Sequence, residues 1–156
     1  MAIVTTKTAL TNLAFDELKA RVVSSIDTPD QNSKAAKLGA RWYDTARRSV
    51  LADHIWNFAV ERRELAATGN APVMDFDQEY TLPEDYIRLA WIGSKEDPTL
   101  DYEVAGGKIL ANVTAPLKLA YVRDEEDVTL FSPKFVVTLA AKLAEHMAYP
   151  LTGNRA

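Results

Sequence analysis

The sequence predicts an α+β chain, mainly helical: an antiparallel helical bundle with a small antiparallel β-sheet inserted between the central helix and the last helix. Three observations predict it. Apolar residues recur every four positions near both ends of the chain. From about residue 73 to 130 that spacing gives way to alternation around turn residues. Ser132-Pro133 then opens a second strongly periodic run. A period near 3.6 keeps side chains on one helix face, whereas a period of two keeps them on one face of a strand.

The first helix is expected over about 8–24. Leu10, Ala14, Leu18 and Val22 form one stripe with Leu13 alongside, and Asp16, Glu17, Lys19 and Arg21 cover the other faces. SSIDTPDQNS (24–33) breaks it with Pro29 and a cluster of Asp, Asn and Ser. Asn32 or Ser33 can cap the next helix by accepting from its exposed first-turn amides. The central helical stretch is expected over about 33–66, either continuous or broken near Asp53. Leu38, Trp42 and Ala46 lie on one stripe; Ala36, Ala40, Tyr43, Arg47, Val50 and Leu51 lie on an adjacent one. Two apolar faces imply packing from two sides. On such a helix Trp56 and Phe58 point apart and anchor different neighbours. Thr68, Gly69, Asn70 and Pro72 end the stretch.

The middle reads as three or four antiparallel strands. In YIRLAWIG (86–93), Ile87, Leu89 and Trp91 alternate with Arg88 and Ala90. DYEVAGGKILANV (101–113) reads as two strands around Gly106-Gly107, a pair able to supply the positive φ angles of a tight hairpin. In PLKLAYVRD (116–124), Leu117, Leu119 and Tyr121 share one face and Lys118 and Ala120 the other. The last helix starts with Ser132 as cap and Pro133 at its first position, where a missing N–H costs nothing. Phe135, Leu139, Leu143 and Met147 form its stripe, widened by Val136, Ala140 and Ala144; Pro150 and Gly153 stop it.

A chain of 156 residues is read as one domain over 1–156: 1–70 helical, 71–130 a β-rich insertion, 131–150 a closing helix and 151–156 a C-terminal tail. That length buries about 68–70% of the unfolded surface. The absence of cysteine excludes disulfides, thiolate nucleophiles, Cys-ligated zinc and iron–sulfur clusters. No long apolar stretch marks a signal peptide or membrane span, so a soluble, cytoplasmically made protein is expected. Net charge is −4 and uneven: residues 1–70 carry ten Lys/Arg against eight Asp/Glu, and residues 71–156 carry eight against fourteen. Such acidity disfavours free-standing DNA binding, which needs clustered cations.

No motif assembles a reaction centre. Asp53 and His54 are neighbours that point about 100° apart on a helix, and His146 is far away in sequence. The acidic run at Glu125, Glu126 and Asp127 lacks the alternation of a calcium loop and reads as a solvated loop. Gly106-Gly107-Lys108 lacks the remainder of a phosphate-binding loop. The doublets Arg47-Arg48 and Arg62-Arg63 sit among acids and read as solvated faces or subunit-interface ion pairs. No catalytic group, cofactor or metal is expected.

Four segments in order resemble a known family. They are SKAAKLGARWYDTARRSVLADHIWNFAVERREL (33–65), YTLPEDYIRL (80–89), GGKILANVTAPLKLAYVRD (106–124) and FSPKFVVTLAAKLAEHMAYPLTGN (131–154). Together they resemble tail tubular protein A of short-tailed bacteriophages, the head-to-tail adaptor or connector. The matching fingerprint is Tyr43, Asp44 and Arg47, then Trp56, Asn57, Phe58 and Ala59, then Arg62 and Leu65. Ile55 departs from it, where the family has proline before the Trp, and the chain stops at Ala156 where relatives run on.

The resemblance implies a structural virion protein at the head-to-tail junction, assembled from the host cytoplasm and not an enzyme. It implies a ring, typically of twelve copies, docked under the portal protein. Such a ring extends the channel for packaged double-stranded DNA, helps retain that DNA until ejection, and gives the tail nozzle or tube a platform. Trp42, Tyr43, Trp56, Phe58, Phe135 and Leu139 are the expected structural core signature. Pro150, Leu151 and Arg155 are the expected portal contact, and Arg62, Arg63, Lys95, Asp97 and Arg123 the expected neighbour or tail contacts. Two other classes compete: a peptidoglycan-cleaving enzyme using carboxylates such as Glu61, Glu64 or Glu84, and a sequence-independent DNA-binding module.

Overall fold

The computed structural model describes residues 4–30, 32–72, 74–93 and 100–153. The chain divides into two compact units, residues 1–54 with 125–156, and residues 55–124.

The first unit holds three helices among the described residues, α1 (Lys7–Glu17), α2 (Lys34–Asp53) and α3 (Pro133–Thr152). Each starts on a hydroxyl cap. Thr6 accepts from the Ala9 amide, Ser33 from Ala36 and Ser132 from Phe135. Each cap satisfies one of the amides that a helix start leaves without a partner. α3 supplies the centre of the core: Phe135, Leu139, Leu143 and Met147 are fully buried. Each such side chain contributes about 1.5–3 kcal/mol relative to exposure. α3 packs on both α1 and α2. α2 runs antiparallel to it, with Lys34 donating to the Pro150 carbonyl and Trp42 stacked on His146 at 4.7 Å. Pro150 does not stop α3. The helix continues to Thr152, where Gly153 takes a left-handed φ of 75° and donates to the Tyr149 carbonyl.

α1 is shorter than the periodicity predicts. It ends at Glu17, the chain turns at Lys19 (φ 52°), and Val22 is exposed. The following loop is used as cover. Asn12 bonds both the amide and the carbonyl of Val23, and buried Ile26 reaches to within 3.1 Å of where a Cβ on Gly39 would stand.

The larger correction is to the fold class. The chain is not a helical bundle with a small inserted sheet. α2 ends at Asp53, His54 is extended (φ −148°, ψ 156°), and a single 3-10 turn spans Asn57–Ala59. VERREL, expected to be helical, is strand β1 (Val60–Leu65). It is followed by β2 (Gln78–Thr81), β3 (Tyr86–Ile92), β4 (Tyr102–Ala105), β5 (Lys108–Ala111) and β6 (Leu117–Arg123). These strands form two three-stranded antiparallel sheets, β1-β6-β3 and β2-β5-β4. Glu, Arg and Leu favour helix locally, but pairing along β6 in register from Val60↔Val122 to Leu65↔Leu117 overrides that weak preference.

Both sheets share one core of Tyr80, Ile92, Ile109, Ala111, Leu117, Leu119 and Tyr121. In β6 Leu117, Leu119 and Tyr121 enter the core as expected, but Ala120 and Val122 on the other face are buried as well. Gly106 and Gly107 turn the β4–β5 hairpin at φ 57° and 76°. β3 departs from simple alternation. A register shift between Leu89 and Trp91 sets Leu89 beside Tyr121 but Trp91 beside Ala120, on the other face, and brings Ile92 inward. Ala67 bridges to Tyr80, and the Thr68 amide donates to the Glu79 carbonyl at 2.8 Å. These contacts tie the segment after β1 to β2.

Candidate functional site

Two constellations of polar side chains stand out, one in each unit. In the helical unit Arg47 is 1% exposed. Its guanidinium donates to the Glu125 carbonyl at 2.6 Å and lies 3.4 Å from Asp44 and 3.7 Å from Glu126. One helical turn earlier, Tyr43 is buried and its hydroxyl makes no hydrogen bond among the described residues. Burial pushes the Tyr43 hydroxyl far above its ordinary pKa, although the Arg47 charge pulls the other way. Glu125 is also buried, and its carboxylate accepts from the Asp127 amide at 2.9 Å. Asp127 in turn caps the short turn at Val128–Leu130, and its bonds from Thr129 hold its carboxyl below the usual range. The expectation of a solvated Arg47-Arg48 doublet and a solvated acidic loop is thus wrong for Arg47 and Glu125. The signal was present: Arg47 lies on the stripe of Tyr43, Val50 and Leu51, so its stem and head go inward together.

In the β unit, a cavity of about 330 Å³ is lined by Arg62, Arg63, Glu64, Trp91, Gly93, Lys118, Leu119 and Ala120. The Arg62 guanidinium sits 5.2 Å from the centre of the Trp91 ring. Arg63 lies 5.9 Å from the Tyr121 ring and 3.6 Å from Asp85, which accepts from the Tyr121 hydroxyl at 2.9 Å. Burial first, and that bond second, raise the Tyr121 pKa. Glu64 is opposite Lys118 in register. Elsewhere in this unit Glu79 accepts from Lys108 at 2.7 Å and Thr68 at 2.9 Å, which hold its carboxyl below the usual range.

Of the other residues singled out by sequence, Phe135 and Leu139 are fully buried, Trp56 is 7% exposed, and Trp42 is half-buried against His146. Trp56 and Phe58 do not point apart. Trp56 precedes and Phe58 lies in the short 3-10 turn before β1 rather than in a continuous α-helix, and their rings lie 6.2 Å from each other. Pro150 and Leu151 are half-buried in the last turn of α3, and Arg123 ends β6 opposite Tyr86. Lys95, Asp97 and Arg155 lie outside the described residues. Glu61 and Glu64 project from opposite faces of β1 and so form no carboxylate pair, and Glu84 is exposed in the turn before β3.

Among the described residues, no group of three or more His, Asp or Glu is arranged to hold a metal ion, and no helix is long and apolar enough to cross a membrane. No family model and no curated protein matches this sequence.

Proposed function

We propose that the chain is a structural subunit of a phage head-to-tail junction. Many copies form a ring that docks under the portal, continues the DNA channel and carries the tail nozzle or tube. One observation carries this reading: part of the fingerprint that bears the adaptor resemblance is built into the fold, while its Asp44, Asn57 and Arg62 are exposed. Tyr43, Arg47, Trp56 and Ala59 are buried, and Arg47 fastens α2 to the chain segment entering α3. A fingerprint divided between core and surface suits a ring segment that must hold its own shape and also meet its neighbours. The net charge of residues 71–156, eight Lys/Arg against fourteen Asp/Glu, suits a channel component past which DNA must slide without sticking.

The test is to mix the protein with the portal of the same virus and image the product by electron microscopy. The expected outcome is a ring of this protein seated on one face of the portal. If portal particles stay bare under every assembly condition, the reading fails.

A further inference from the structure

We infer that the exposed face of α2 holds the phosphate backbone of double-stranded DNA without reading its sequence, with Lys37 and Arg41 as the central contacts. The inference rests on the adaptor reading, whose DNA contact it names.

α2 has two unlike sides. Tyr43, Ala46, Val50 and Leu51 are buried, and on the opposite side Lys34, Lys37, Arg41, Thr45 and Arg48 are exposed. At about 100° of turn per residue, those five fall within about 80° of arc and span about 21 Å of helix. The row is therefore one continuous cationic stripe with a hydroxyl in it. The exposed acid Asp44 stands on the flank of this stripe, 3.4 Å from the Arg47 guanidinium.

Helix stability does not account for these cations. Lys34 and Lys37 occupy the first turn, which holds no acid, and the last turn holds no base. A helix start already carries positive potential, so cations there work against the helix and add to a field that attracts anions. Lys34 has a local partner, since it donates to the Pro150 carbonyl. Lys37 and Arg41 have no carboxylate partner among the described residues.

The composition of the stripe selects the kind of anion. None of the exposed large apolar side chains lies on α2. Protein interfaces centre on apolar and aromatic side chains and are depleted of lysine. Lysine, arginine and hydroxyl groups in a row are instead the donors that phosphate backbones take, and such contacts carry no sequence information. A duplex bears one charge per about 1.7 Å of its axis, so a row of this length meets several phosphates. The acidity of the chain does not oppose the contact, because it resides in the β unit. Residues 55–124 carry seven Lys/Arg against twelve Asp/Glu, whereas the helical unit carries eleven against ten.

Anisotropy of fluorescently labelled duplexes of unrelated sequence, across a salt series, tests this on the full chain, alone and assembled on the portal. With about three phosphate contacts per copy, the logarithm of the binding constant should fall with the logarithm of salt at a slope of about −3. Lys37→Gln with Arg41→Gln keeps good helix formers on exposed positions. It should weaken binding more than about tenfold and flatten the slope by about 2. Lys19→Gln with Arg21→Gln removes the same charge from exposed positions outside α2 and should change neither. Equal losses in the two pairs overturn the inference, because net charge and not the stripe would then govern binding. A parent chain that leaves the duplexes unbound in both settings overturns it too, as does a marked preference for one sequence. Loss of portal seating in Lys37→Gln/Arg41→Gln with duplex binding intact makes the stripe a protein contact and sinks the inference. A ring on the portal whose duplex binding ignores these substitutions removes this contact and leaves the adaptor reading standing. Salt-sensitive duplex binding through the stripe beside a bare portal does the reverse.

Discussion

Replacing Arg47 by Met removes a buried cation while keeping most of its volume. The Arg47 guanidinium makes a charge-assisted hydrogen bond of 2.6 Å to the Glu125 carbonyl, in a residue only 5% exposed. Such a bond contributes about 1.5–3 kcal/mol, and a buried carbonyl left unsatisfied costs about 1–3 kcal/mol. These overlap, because both describe the loss of one donor. The ion pairs add little: Asp44 and Glu126 are 66% exposed and 3.4 and 3.7 Å away, so water takes over when the cation leaves. The expected cost of Arg47→Met is therefore about 3 kcal/mol. With a urea dependence of about 2 kcal/mol per molar, that lowers the unfolding midpoint by about 1.5 M. Urea titration followed by far-ultraviolet circular dichroism, which reads the helices, measures it. Asp44→Asn and Glu126→Gln are the controls, at less than about 1 kcal/mol each. An Arg47→Met protein within about 0.5 kcal/mol of the parent would refute the argument. So would an Asp44→Asn protein as destabilised as Arg47→Met, since the ion pair would then outweigh the carbonyl bond.

Phe135→Ala should cost about 3–5 kcal/mol in the same titration, because the ring is fully buried and its removal leaves a cavity. Gly39→Ala should destabilise by about 1–3 kcal/mol despite alanine's better helix propensity. Its Cβ would meet Thr11 Cγ2 at 2.9 Å, and Thr11 is held by its hydroxyl bond to the Lys7 carbonyl. Thermal midpoints should fall in acid. Glu79, Asp127 and Glu145 have carboxyl pKa values depressed by hydrogen bonds from Lys108, Thr129 and Lys142 respectively. Their contribution is complete above the unfolded values of 4.5 for Glu and 3.8 for Asp, and is lost as pH falls through the lower folded-state values. Lys108→Met should flatten part of that acid limb, and an unchanged pH profile would remove Glu79 from the account. At the alkaline end the raised pKa values of Tyr43 and Tyr121 work in the opposite sense. Their contribution is complete below 10 and is lost as pH rises beyond it, visible as a falling midpoint in alkaline buffer.

The sequence by itself determined what depends on neighbours a few residues away. Ser132-Pro133 and the Phe135–Leu139–Leu143–Met147 spacing specify the start and the buried face of α3, because caps and helix periodicity are local. The Gly106-Gly107 turn and the Leu117–Leu119–Tyr121 face are legible for the same reason. Only the tertiary structure decided that VERREL is a strand, since its residues favour helix and its pairing partner β6 lies more than fifty positions away. The same holds for the inward turn of Arg47, which needs a carbonyl from residue 125 to accept its proton, and for the register shift that sends Trp91 outward over Arg62. Trp91 there helps line the cavity over the β1-β6-β3 sheet. The side chains of that cavity come from three strands, and no spacing within any one of them could announce it.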